Sequence, residues 1–275
     1  MTLLALLASC GSVSAQHKHA LALLRSNSIV QFDRLLSDVQ GRFERGEATE
    51  YEVRDAFRVF YRLDAASLKN LQAWATASPK SYMAHAGLGV YYRIHGTDVR
   101  GDKHVAQTPR ADLDKAMHYF RIAEEELRRS LALTEKPYIS IFHLMQIAGN
   151  RGDRAALQEL LAHANRILPS NSLARCRYAT YLRPRWGGSY EELGKFIQQS
   201  RQQGAPAHVL LQLQAIEHND RGHALQEQGS RAAASEEFEK ALRIGRQVGG
   251  TFSMEFLSVA RHYLCAGAGL PSYCP

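Results

Sequence analysis

Signals that start a helix recur along this chain at short, regular intervals, and little between them reads as strand. Ser28-Ile-Val-Gln31, Thr49-Glu-Tyr-Glu52 and Ser189-Tyr-Glu-Glu192 each place a hydroxyl three residues ahead of a Gln or Glu. At that spacing the hydroxyl accepts from the third backbone N–H while the longer side chain reaches back to the capping residue. Asp64, Asp153 and Ser230 are further caps. Ser78-Pro79, Thr108-Pro109, Lys136-Pro137 and Ala205-Pro206 put proline where a first turn tolerates the missing N–H. Apolar residues follow with a helical period, as in Leu113, Met117, Phe120, Ala123, Leu127 and Leu131, or Leu157, Leu160, Leu161, Ala164 and Leu168. Sustained alternation and the Asn-Gly hairpin turn are missing. The expectation is an all-α chain with about twelve helices between residues 20 and 266.

Most of these helices are joined by short connections, which makes sequence neighbours antiparallel. Gly222, Ala234, Phe238 and Ala241 fall at separations resembling those of the tetratricopeptide repeat, and Leu144, Ala164 and Pro169 match a sparser subset. Small residues there let two backbones approach while bulky ones fill the groove between them. The fold expected is therefore a set of tetratricopeptide-like antiparallel helix pairs forming a solenoid or curved array. One long irregular connection is expected, His95 to Pro109, lying over an edge or the concave face.

The apolar run Leu3–Leu7 ends in Leu7-Ala8-Ser9-Cys10, which resembles the lipobox of bacterial lipoproteins, whose cysteine thiol receives a diacylglycerol. Val13-Ser14-Ala15-Gln16 offers the ordinary signal peptidase a rival cleavage site. Both readings lead to an exported protein, periplasmic or held at the outer membrane through lipidated Cys10. No other window approaches the ~20 apolar residues of a membrane span, so membrane contact would come through a lipid anchor alone. The net charge of +7 is scattered along helices, the pattern of a solvated surface, and nucleic acid is not expected as a partner. Cys265 and Cys274 flank a Gly- and Pro-containing turn and are the candidate disulfide, one that would contribute on the order of 2–3 kcal/mol. Cys176 reads as a buried thiol.

Trp74, Ser78-Pro-Lys-Ser-Tyr82, Ala84, Gly89-Val-Tyr-Tyr92, Arg100-Gly101 and Tyr181-Leu-Arg-Pro-Arg-Trp-Gly-Gly-Ser189 together resemble the bacterial domain-of-unknown-function 4034 family. The likeness spans residues 28 to 200, and Pro184-Arg-Trp-Gly-Gly-Ser189 is its most specific element. It implies a tetratricopeptide-like, often exported fold and adds no reaction. The organisation expected is a leader and tether over 1–27, a family-like helical domain over 28–204, repeat-like helices over 205–266 and a tail over 267–275.

Two readings of the Pro184–Ser189 segment stay open. In one, Pro184 and Gly187-Gly188 turn the chain sharply, Trp186 anchors the turn and Ser189 caps the next helix. In the other, Arg183, Arg185 and Trp186 face the loop bearing Arg100 and Gly101 and form a cationic, aromatic-walled pocket for a carboxylate or sugar-like ring. His95, His104, Asp98 and Asp102 match no metal spacing, and Tyr91, Tyr92 and Tyr119 are expected in the core. Neither a metal nor a cofactor is expected, and no Gly-x-Ser-x-Gly elbow or Cys–His pair marks an enzyme. The leading expectation is an exported, lipid-anchored helical-repeat binding or scaffold protein of the bacterial envelope. It would take a protein or peptide partner, with an anionic small molecule or glycan as a further ligand class. The alternatives are an envelope hydrolase or glycan-acting enzyme with a site near residues 95–108 and 183–189, and a lipoprotein assisting outer-membrane assembly.

Overall fold

The computed structural model describes residues 15–101 and 107–248, together with Leu257, Ala260 and Leu264. Cys10, Cys265 and Cys274, and with them the expected lipobox and disulfide, lie outside the described residues, whereas of the leader and tether expected over 1–27 the stretch 15–25 is helical, with Ala20 and Leu24 buried. Among the described residues the chain is all-helical, with no strand. The α-helices are α1 (15–25), α2 (Ile29–Glu44), α3 (Glu50–Phe57), α4 (Ala65–Ala77), α5 (Tyr82–Arg100) and α6 (Arg110–Ser130). They continue as α7 (Tyr138–Arg151), α8 (Arg154–Ile167), α9 (Leu173–Tyr181), α10 (Tyr190–Gln202), α11 (Ala207–Glu227) and α12 (Arg231–Val248). Short 3-10 turns follow α3 (Arg58–Tyr61) and α9 (Pro184–Trp186). No described helix is long and apolar enough to cross a membrane.

The caps act locally, as the spacing requires, with two exceptions. Thr49 and Glu52 close a full capping box on α3, and the carboxylates of Asp64 and Asp153 accept from Ser67 N–H at 2.8 Å and Ala156 N–H at 3.0 Å. Ser28 precedes α2 without capping it: its hydroxyl bonds that of Ser26 at 2.9 Å instead, behind Asn27 at φ 58°. Ser189 caps α10, but Glu192 does not close the box. Its carboxylate is drawn away to Arg154 at 2.7 Å, because a charged donor outcompetes a backbone N–H.

The segment expected to be irregular from His95 is helical through Arg100, which corrects the boundary of that loop. Gly96 lies so close to α6 that a Cβ there would stand 2.9 Å from the Phe120 ring, so packing holds α5 in register past the polar residues. Gly101, at φ 69°, then stops the helix with its N–H returned to the Thr97 carbonyl at 3.0 Å.

Two compact units divide the chain, residues 1–147 and 148–275, the boundary falling within α7. In the first unit, Phe32 meets Phe60 and Trp74 edge-on, each at 5.7 Å, and α5 packs along α6. Tyr138, Ile139, Ile141, Phe142, Leu144, Met145 and Ile147 are all buried, so α7 is apolar on every side here. Buried Arg93 donates Nε–H to His143 Nδ1 at 3.0 Å, an arrangement that requires an imidazole with its proton on Nε2. In the second unit α11 packs along α12, with Gly222 against the Phe238 ring, and Tyr181 fills the space over Gly149.

Candidate functional site

The turn between α9 and α10 is built from residues that other types would break. Pro184–Trp186 form a single 3-10 turn, and Gly187 follows in the left-handed region at φ 80°. A Cβ at Gly188 would lie 2.0 Å from the Leu182 carbonyl oxygen, which leaves no room for a side chain. Trp186 is half-buried and packs edge-on against Tyr181 at 5.0 Å. Arg154, reaching from the start of α8, donates to the Gly187 carbonyl at 2.5 Å and to Glu192 at 2.7 Å. One guanidinium thus pins both the turn and the first turn of α10.

Arg183 points inward. Its Nε–H donates to the Thr180 carbonyl at 2.9 Å, and its Nη1 stands 3.1 Å from Asp220 of α11, close but not aligned as a hydrogen bond. Burial lowers the Arg183 pKa from its usual value, and the Asp220 charge partly restores it. Tyr190 donates its phenol O–H to the other Asp220 oxygen at 3.2 Å, while the Arg221 guanidinium lies 4.1 Å above the Tyr190 ring. Burial and the Asp220 carboxylate push the Tyr190 phenol up to about 12.

Of the residues singled out in the sequence, Arg183, Arg185 and Trp186 come together on this turn, with Arg185 exposed. Arg100 and Gly101 end α5 in the other unit, where Arg100 Nη1 donates to the Gly101 carbonyl at 3.1 Å. Cys176 is buried, its thiol 3.7 Å from Gln212 Oε1. Tyr91, Tyr92 and Tyr119, expected in the core, are instead half-buried on a face shared by α5 and α6. The close approach of the two backbones at Gly89 and Gly96 leaves no internal volume for them.

Beside the turn lies a cleft of about 390 Å³ between α8, α9 and α10. Leu157, Leu161, Tyr178 and Phe196 line it with apolar surface, the last two rings meeting at 4.8 Å. Gln158 and Asn165 of α8, Lys195 and Gln199 of α10 and Gln203 just after it supply the polar lining, together with the Arg154–Glu192 pair. Gln158, Gln199 and Gln203 are exposed and their side-chain amides make no hydrogen bond among the described residues, so these amides remain open. Asn165 Oδ1 already accepts from Asn171 at 2.9 Å, and Lys195 pairs with Glu191 at 2.5 Å. No motif marks this group in the sequence. Its one legible signal is the polar row Lys195, Gln199 and Gln203 at four-residue spacing beside buried Phe196.

Comparison with models of known protein families, with curated proteins and with solved structures gave no match.

Proposed function

We propose that this chain is a helical-repeat binding or scaffold protein whose second unit takes an extended peptide segment in the cleft between α8, α9 and α10. The observation that carries the reading is the pairing of an apolar floor with open side-chain amides. An amide offers one acceptor and a two-proton donor, the complement of a peptide backbone. Gln199 and Gln203 are one helical row apart, about 6 Å. An extended chain repeats every second residue at about 6.6 Å, so successive amides meet successive backbone groups while alternate side chains enter the floor.

The same proposal includes tetratricopeptide-like pairing of the helices, supported by Gly222 under Phe238 and by buried Ala234 and Ala241. Kinship with the domain-of-unknown-function 4034 family rests on the Pro184–Ser189 motif. Export with a lipid on Cys10 rests on the Leu3–Cys10 run. The turn bearing Arg183, Arg185 and Trp186 sets the spacing of α9 and α10 and so the width of the cleft.

The test uses a fluorescent, terminally blocked heptapeptide alternating Leu and Ser, and its analogue N-methylated at alternate residues. Saturable binding by the parent, weakened about tenfold by backbone methylation or by Gln199→Ala, is the expected result. Equal binding of both peptides, or none, would overturn the peptide reading.

A further inference from the structure

A second feature, in the first unit and independent of the cleft, has the chemistry of a ligand platform. Tyr91, Tyr92 and His95 of α5 and Tyr119 of α6 form one continuous cluster of half-buried rings. Tyr91 lies nearly parallel to His95, with centroids 5.8 Å apart and 8° between planes, and Tyr92 to Tyr119 at 6.1 Å and 18°. His95 meets Tyr119 edge-on at 4.5 Å, and Tyr91 meets Tyr92 at 5.3 Å, which closes the cluster.

These rings do not fill the seam between the two helices. That seam is closed beneath them by Gly89 against Leu127 and Gly96 against Phe120, with Ala116 and Ala123 buried alongside. The cluster is therefore surplus to packing. It leaves aromatic surface in contact with water, where a polar face is the ordinary outcome for helices on the outside of a fold.

The composition selects among ligands. Every ring carries a polar atom on its edge, a phenol oxygen on the three tyrosines and a nitrogen on His95. The Tyr92 oxygen already accepts from Gln72 Nε2 at 2.8 Å, which fixes that phenol and leaves its proton to donate. Two carboxylates fall on the same helix faces: Asp98 three residues after His95, and Asp112 seven before Tyr119. Neither makes an ion pair or hydrogen bond among the described residues. Flat apolar faces edged by hydroxyls, with free acceptors at the margin, suit a ring that is apolar on its faces and hydroxylated on its rim. With exposed Lys115 between Asp112 and Tyr119 on the same face, the margin carries both signs, which suits a neutral ligand, and a hydrocarbon chain would leave the polar edges unpaired.

We propose that the face formed by Tyr91, Tyr92, His95 and Tyr119 binds a neutral saccharide by stacking a pyranose ring on the tyrosine faces, with Asp98 and Asp112 accepting from its hydroxyls. The rings are held in place by one another before any ligand arrives, so the platform needs no ordering on binding.

Saturation-transfer NMR on the full chain tests this with three probes, cellohexaose, maltohexaose and chitohexaose. The expected result is transfer to pyranose C–H protons from at least one probe. Affinity should fall about tenfold in Tyr119→Ala, be retained in Tyr119→Phe, and weaken in Asp98→Ala. Asp98 is exposed, so that variant reports on the sugar even where loss of a tyrosine unsettles the fold. No transfer from any of the three, or transfer unchanged in both Tyr119→Ala and Asp98→Ala, would overturn the proposal. The cleft is read separately, by the heptapeptide and Gln199→Ala, so either assignment can fail without the other.

Discussion

Arg183 and Asp220 are each a liability alone and tolerable together. Asp220 is 4 % exposed and the Arg183 side chain 14 %, so removing one charge strands the other away from water. Asp220→Asn should cost about 3 kcal/mol in urea unfolding, far more than an exposed pair such as Arg110–Asp114, which is worth well under about 1 kcal/mol. The same substitution should move a titration. Tyr190 holds its proton to about 12 against an ordinary 10, because burial and Asp220 both oppose the phenolate. A proton bound more tightly in the fold stabilises it fully below pH 10, and that contribution is lost as the pH rises towards 12. Tyrosinate absorbance, taken as a difference from Tyr190→Phe, should show the Tyr190 step shift downward in Asp220→Asn; an unmoved step would refute the contact. Gly188→Ala, whose Cβ would meet the Leu182 carbonyl 2.0 Å away, should destabilise by about 3 kcal/mol, readable in the same unfolding curves.

Between elements, the approach of α5 to α6 depends on glycines that local rules do not require. Gly89 sits in mid-helix, where it is costlier than alanine by propensity, yet a Cβ there would lie 2.5 Å from Leu127 Cγ. Gly89→Ala should therefore lower thermal stability by about 1–3 kcal/mol despite its better propensity, and Leu127→Ala should partly relieve it. At α3 the capping box makes the opposite case, a purely local device. The Thr49 backbone N–H holds the Glu52 carboxyl below its usual range, so its contribution is present above about pH 4.5 and lost as the pH falls through the lowered value. Thr49→Ala, which keeps that N–H and loses only the hydroxyl, should cost about 1 kcal/mol, whereas Glu52→Gln, which removes the titrating group, should flatten the acid limb of a stability-against-pH curve. Helix starts of this kind were legible because cap, turn and first apolar residue lie within a few residues of one another. Ser28 and Glu192 departed from the pattern because a nearer hydroxyl or a stronger cation captured the side chain.

Across the whole molecule, burial ranks the helices. Tyr138–Ile147 is buried almost without interruption, His143 and Ser140 included, so its amides should be among the slowest to exchange with deuterium, and those of α1 and α8 faster. Exchange of α7 as fast as α8 would contradict this burial. The all-α class, the positions of most helices and the sharp turn at Pro184–Ser189 could be read from the sequence alone, since caps, proline, glycine and the 3.6-residue period act over a few residues. Tertiary structure alone decided where side chains from distant helices meet. It turned Arg183 inward to Asp220, carried α5 past His95 on the strength of Phe120, and brought Tyr119 beside Tyr92. It also opened a cleft against α10 where the sequence shows only spaced glutamines. Local signals specify a helix and its ends, whereas a site is made by contacts between helices, whose register depends on the volume of every side chain packed between them.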